Sequence, residues 1–175
     1  MNLLQNCLLD GFLAMVVAVG FSLNFRPTRR IVLAAAVLAP IGHVTRYLLV
    51  EASFGIVSAT LCASCAIALC SMPISRHWHI PAEMFIFPSL LPMVPGMYAY
   101  KTILAILQFL DNKADPNLLS LIVYNGLTTF FIMGALVIGA NVPLIMLRED
   151  APLGHLLLKL LGKRASKLLH HRGRP

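Results

Sequence analysis

The sequence predicts an all-α, polytopic membrane protein of about five transmembrane helices, the fourth broken by proline and glycine, with a basic amphipathic helix at its C-terminus. Three observations predict it. Of 175 residues, 58% are hydrophobic and 12% charged, against roughly 45–50% and about 25% in an average soluble domain. Charge is missing from whole stretches rather than thinned evenly, and mean hydropathy is +0.80. The basic residues that remain gather in short loops and in the tail. So few charges cannot cover a water-facing surface, whereas a bilayer accepts the apolar excess.

A helix needs about 20 apolar residues to cross the hydrocarbon. Five segments qualify within a membrane domain at 1–150: near 3–25, 31–50, 54–72, 82–110 and 118–147. The first begins at Leu3 with no Lys or Arg before it, so it reads as a retained span rather than a cleavable signal peptide. Arg26-Pro27-Thr28-Arg29-Arg30 closes it with charge and a proline. The second and third are parted only by Glu51-Ala52-Ser53. Pro73 to His79 reads as the loop between the third and fourth, with Trp78 suited to an interface, and Asp111 to Asn117 as the last loop.

The fourth segment is too long for a simple span and is interrupted by Pro88, Pro92 and Pro95-Gly96. Each proline removes a backbone donor and clashes with the preceding turn. A kinked or unwound stretch at membrane depth is expected, with Pro92, Pro95 and Gly96 as its hinge. Such backbone is tolerated where it is buried in protein or lines a wet cavity. A kinked packing helix is the competing reading.

Net charge is +7, but its distribution excludes a nucleic-acid partner as the explanation. Half of the basic residues follow the last apolar segment, and Arg26, Arg29 and Arg30 form one further cluster. With five spans every basic cluster falls in the cytoplasm, and Glu51 and most of the loop acid fall outside. The N-terminus is then external and the C-terminus internal. The tail, 151–175, carries Leu153, Leu156, Leu157, Leu160 and Leu161 on one side and Lys159, Lys163 and Lys167 on the other. A basic amphipathic helix of this kind lies on anionic lipid; docking a partner subunit is its alternative.

Ionisable groups inside spans are costly and mark functional candidates. Asp10 lies in the first segment, His43 and Arg46 one turn apart in the second, Lys101 in the fourth, and Asn125 and Asn141 in the fifth. Under the five-span topology Asp10, His43, Arg46, Lys101 and Asn125 all fall toward the outer side. One shared layer is therefore expected, with cations outnumbering Asp10. That surplus suits a carboxylate, which Arg46 is able to grip with two parallel hydrogen bonds, while His43 or Asp10 carries a coupled proton. Snorkelling of Arg46 and Lys101 to headgroups, and a structural Asp10–Arg46 neutralisation, are the bland alternatives. Glu83 reads as an ordinary first-turn acid.

Cys7, Cys62, Cys65 and Cys70 all lie in apolar segments. Without nearby His or Asp ligands, Cys62-x-x-Cys65 reads as small packing residues rather than a redox or metal pair. No nucleotide or metalloprotease motif is present in the sequence, and no metal or cofactor is expected.

Four motifs occur in order: Gly20-Phe21-Ser22-Leu23-Asn24-Phe25-Arg26-Pro27-Thr28-Arg29, then Gly42-His43-Val44-Thr45-Arg46, then Pro92-Met93-Val94-Pro95-Gly96, then Gly134-Ala135-Leu136-Val137-Ile138-Gly139 with Pro143. Over roughly residues 8 to 147 the chain resembles the threonine/serine exporter (ThrE) family in its short, YjjB-like form. The resemblance implies a bacterial inner-membrane exporter subunit that works with a larger YjjP-like partner, with threonine, serine or succinate as solute. Gly42, His43, Arg46, Pro92, Pro95, Gly96 and Asn125 match family positions, and Lys101 does not. Self-association into a homo-oligomer is a further possibility. An intramembrane enzyme is disfavoured, since no catalytic motif accompanies His43, Asp10 and Glu83. A structural or assembly protein without a translocation path is the main rival.

Overall fold

The computed structural model describes residues 3–24, 28–111 and 116–146, and every regular element among them is helical. In chain order these are α1 (Leu3–Asn24), α2 (Arg29–Glu51), α3 (Ile56–Trp78), α4 (Glu83–Leu90), a 3-10 turn (Leu91–Met93), α5 (Gly96–Asp111) and α6 (Pro116–Met146). The tail at 151–175, with its expected amphipathic helix, lies outside the described residues.

α1, α2, α3 and α6 are each long and apolar enough to cross a membrane. α4 with the 3-10 turn and α5 together make a fifth candidate span, bent by 51° at the break. The protein is a multi-pass membrane protein, and its fourth hydrophobic segment is discontinuous.

Small residues form the seams. α1 buries Ala14, Ala18 and Ser22, with Gly11 beside Pro40 and Val44 of α2. α2 answers with Ala34, Ala35, Leu38, Ala39 and Gly42. Lipid is as apolar as leucine, so membrane helices associate through close van der Waals contact, and small side chains let backbones approach. α2 packs against α1, α3 and α4; α3 also packs on α6, and α5 lies along α6. The interior centres on Leu38, Ile67, Phe85, Met93 and Ile132. Most other large apolar side chains face outward, as hydrocarbon surroundings allow.

Local chemistry explains the helix ends. At the α2–α3 junction the Ala52 N–H bonds Leu48 O at 3.0 Å and the Phe54 N–H bonds Leu49 O at 3.0 Å. Ser53 takes the left-handed conformation that closes such a cap, φ 67°. Glu83 sits in the first turn of α4, exposed.

The Pro73–His79 stretch differs from its reading as a loop: α3 runs through Pro73 to Trp78. A proline costs one backbone bond and a kink, which a long packed helix absorbs. Left-handed His79 stops α3 instead, and the Ser75 hydroxyl bonds Ile80 O at 2.7 Å. The cysteines differ too. Cys62 and Cys70 are exposed, on the outside of α3 rather than in a seam, and Cys7 and Cys65 are half-buried.

Candidate functional site

The break in the fourth segment follows from its prolines. Pro92 cannot donate to the Pro88 carbonyl, nor Pro95 to that of Leu91, so the α-helical ladder stops at Leu90. The Val94 N–H bonds Leu91 O at 3.1 Å instead, closing the 3-10 turn. α5 then restarts at Gly96, with the Ala99 N–H on Pro95 O at 3.1 Å. Ser89 is buried in the last turn of α4; its hydroxyl bonds Phe85 O at 2.6 Å and reaches Ala35 O of α2 at 3.4 Å. The broken backbone is thereby fastened to α2.

Gly42 brings the turn closer still. A methyl group added there would meet Ile67 and lie 2.7 Å from Met93 Cε. With hydrogen at this position the Ile67 and Met93 side chains pack directly on the α2 backbone. One turn along α2, Arg46 then donates from Nη1 to the Met93 carbonyl at 3.2 Å. In the same way, the close approach of Gly11 to Val44 sets the neighbouring residues side by side. His43 Nδ1 and Asp10 Oδ2 are 2.9 Å apart. Asp10 and Tyr98 are both near enough to act electrostatically on Arg46.

His43 is almost enclosed, its side chain 11% exposed, while Asp10 is 39% exposed. With Nδ1 committed to Asp10, the other ring nitrogen, Nε2, is buried without a hydrogen-bond partner among the described residues. The result is a compact trio, Asp10, His43 and Arg46, from α1 and α2, closed on one side by the 3-10 turn. Its open edge is the Asp10 carboxylate.

Not every expected residue joins it. Lys101 is exposed on α5. Asn125 is buried on α6, where its amide donates to Leu121 O of its own helix at 2.9 Å. No hydrogen bond or ion pair among the described residues links either to the trio. The physical reason is packing: α5 and α6 lie along each other beyond the 51° bend. Tyr98 was not expected. Its only signal is its place in the first turn after Pro95-Gly96, where a restarted helix faces the break.

A groove of about 240 Å³ runs between α4 and α6, lined by Phe87, Leu90, Val94, Met133 and Val137, with Glu83 and Asn141 as its polar members. It is an apolar surface suited to hydrocarbon, and none of the trio lines it. No group of three or more His, Cys, Asp or Glu able to hold a metal occurs among the described residues.

An interrupted span with ionisable side chains gathered beside the interruption is an arrangement common in multi-pass membrane proteins that carry solutes. The chain belongs to the threonine/serine exporter family: the family model described as "Threonine/Serine exporter, ThrE" matches residues 10–146. An uncharacterized protein of Haemophilus influenzae is 32% identical over 145 residues, covering 83% of this chain and 49% of that one. The chain thus spans about half the length of this curated relative. No solved structure matches. The match spans nearly the same residues as the four motifs, which the sequence had placed in this family.

Proposed function

We propose that the chain is one subunit of a secondary exporter that moves a small carboxylate-bearing amino acid out of the bacterial cell. It lies in the inner membrane with its N-terminus outside and C-terminus inside, and it completes its pathway with a larger membrane partner supplying the other half. The relative of twice the aligned length supports a second half of similar size.

The observation that carries the reading is the pairing of signs at the break. With Lys101 apart, the site holds among the described residues one permanent cation, Arg46, and one carboxylate, Asp10, near enough to interact. The sequence alone suggests a surplus of positive charge and hence a carboxylate-bearing solute, whether dicarboxylate or amino acid. One charge of each sign instead suits a zwitterion, whose carboxylate Arg46 binds through its free guanidinium N–H groups and whose ammonium Asp10 accepts. Threonine and serine fit this better than succinate, which brings two negative charges to a site with one cation.

The test is efflux from cells with and without the gene, the partner present, after loading with threonine, serine or succinate. Loss of threonine and serine efflux with succinate efflux retained is expected. Unchanged efflux of all three would overturn the export reading, and loss of succinate efflux alone would overturn the zwitterion.

A further inference from the structure

We infer that the Asp10–His43 pair is a single proton-binding site whose occupancy sets how the broken span sits against α2. The inference rests on the transport reading only for what the motion serves; the switch itself follows from the geometry.

The first observation is the state of the histidine. Neutral His43 donates from Nδ1 to Asp10 Oδ2, 2.9 Å away, and its Nε2 lone pair is left buried without a donor. A proton arriving at Nε2 turns the ring into a cation with two N–H groups. The one at Nδ1 gains strength, because both partners are then charged. The one at Nε2 becomes a buried, charged donor with no acceptor in this packing. That is the arrangement proteins avoid most strongly. This conformation therefore belongs to the unprotonated pair, and the protonated pair requires neighbouring groups to move.

The second observation says which groups. While His43 is neutral, the negative charge of Asp10 is left to offset that of Arg46 across a longer distance than an ion pair. Once His43 is charged, Asp10 is matched by the imidazolium, and Arg46 faces a like charge one turn away on its own helix. Arg46 is the residue that holds the Met93 carbonyl, and with it the 3-10 turn between α4 and α5. Both effects act at the same joint. Protonation releases the turn, and deprotonation fastens it.

The neighbouring charged and titratable groups are few. α1 contributes Asp10 and, one turn earlier, half-buried Cys7; α2 contributes Arg46 and Tyr47; Tyr98 lies at the start of α5. α4 offers only Glu83, exposed in its first turn, and α3 carries no charged residue before Arg76. Among the described residues the pair thus holds the one histidine beside the break, and histidine is the side chain whose ordinary charge change falls between about pH 5 and 8.

The experiment is a distance measurement on the full chain in lipid vesicles. The four native cysteines are replaced by serine, and spin labels are attached at Leu48→Cys on α2 and Met97→Cys on α5, both exposed positions. Between pH 8 and pH 5 the inter-label distance distribution is expected to shift by a few ångström, the scale of helix displacements in switching proteins. His43→Gln and Asp10→Asn are each expected to abolish the shift. An identical distribution at both pH values in the otherwise unaltered chain would refute the switch without recourse to any variant. Survival of the shift in either variant would refute the pair as its origin. Threonine efflux, scored separately in cells, reports on the transport reading: its absence beside an intact pH shift would sink that reading alone.

Discussion

Arg46→Ala is expected to lower threonine efflux by about 10–100-fold, the factor set by losing a hydrogen bond to a charged group, roughly 1.5–3 kcal/mol. Two losses combine in this one side chain. The solute carboxylate loses its only permanent cation beside the break, and the Met93 carbonyl loses the donor that ties the 3-10 turn to α2. Arg46→Lys separates them. Lysine keeps the charge but lacks the planar fork that binds a carboxylate at two points, so an intermediate rate with a raised half-saturation concentration is expected. Efflux measured against internal threonine concentration distinguishes the cases. Equal, near-normal efflux from both variants would remove Arg46 from the site and leave it as a residue that reaches for headgroups.

The sequence made this helix legible as a candidate because lipid is a severe solvent. An arginine and a histidine one turn apart in an apolar span have few ways to be satisfied, and three closely spaced prolines call for a helix that kinks or breaks. The same severity hid other things. Lipid and protein interior are both apolar, so α3 gave no sign that Cys62 and Cys70 face outward while Ala63 and Ala68 pack inward. The layer of five polar groups was inferred from depth, which fixes one coordinate. Which side of the bundle a residue occupies depends on azimuth and on the 51° bend, and neither can be read from counts along the chain. Lys101 and Asn125 belong to the α5–α6 side for that reason. Pro73 shows the opposite effect: local proline chemistry argues for a break, and the packing that carries α3 onward overrides it.

Gly139→Ala is expected to destabilise the bundle by about 3 kcal/mol, the upper end of typical overpacking costs, and Gly42→Ala by about 1 kcal/mol. The difference lies in what each new methyl group meets. At Gly139 it would collide with Ser64 Oγ and lie 2.7 Å from the Leu61 carbonyl oxygen. The Ser64 hydroxyl already bonds Leu61 O at 3.0 Å and Ala135 O at 3.2 Å, so it has no free direction in which to turn. A backbone carbonyl inside a helix cannot turn aside either, and the α3–α6 seam must open. At Gly42 the obstacles are the flexible ends of Ile67 and Met93, which are able to yield. Reversible unfolding in mixed SDS–detergent micelles gives the two values. Ile67→Ala in the Gly42→Ala background should recover part of the loss, through a coupling of about 0.5–3 kcal/mol for residues in contact. Ser64→Gly should not rescue Gly139→Ala, because the Leu61 carbonyl stays where it is. Function should divide the other way. Gly42→Ala displaces the Met93 side chain beside the carbonyl that Arg46 holds, so efflux is expected to fall further than stability does. Gly139→Ala acts on a seam that carries none of the trio, and the molecules that remain folded should export normally. If Gly42→Ala left efflux untouched, the close approach of the broken span to α2 would not be what positions Arg46; if it proved the more destabilising of the two, Ile67 and Met93 would not be the yielding neighbours described.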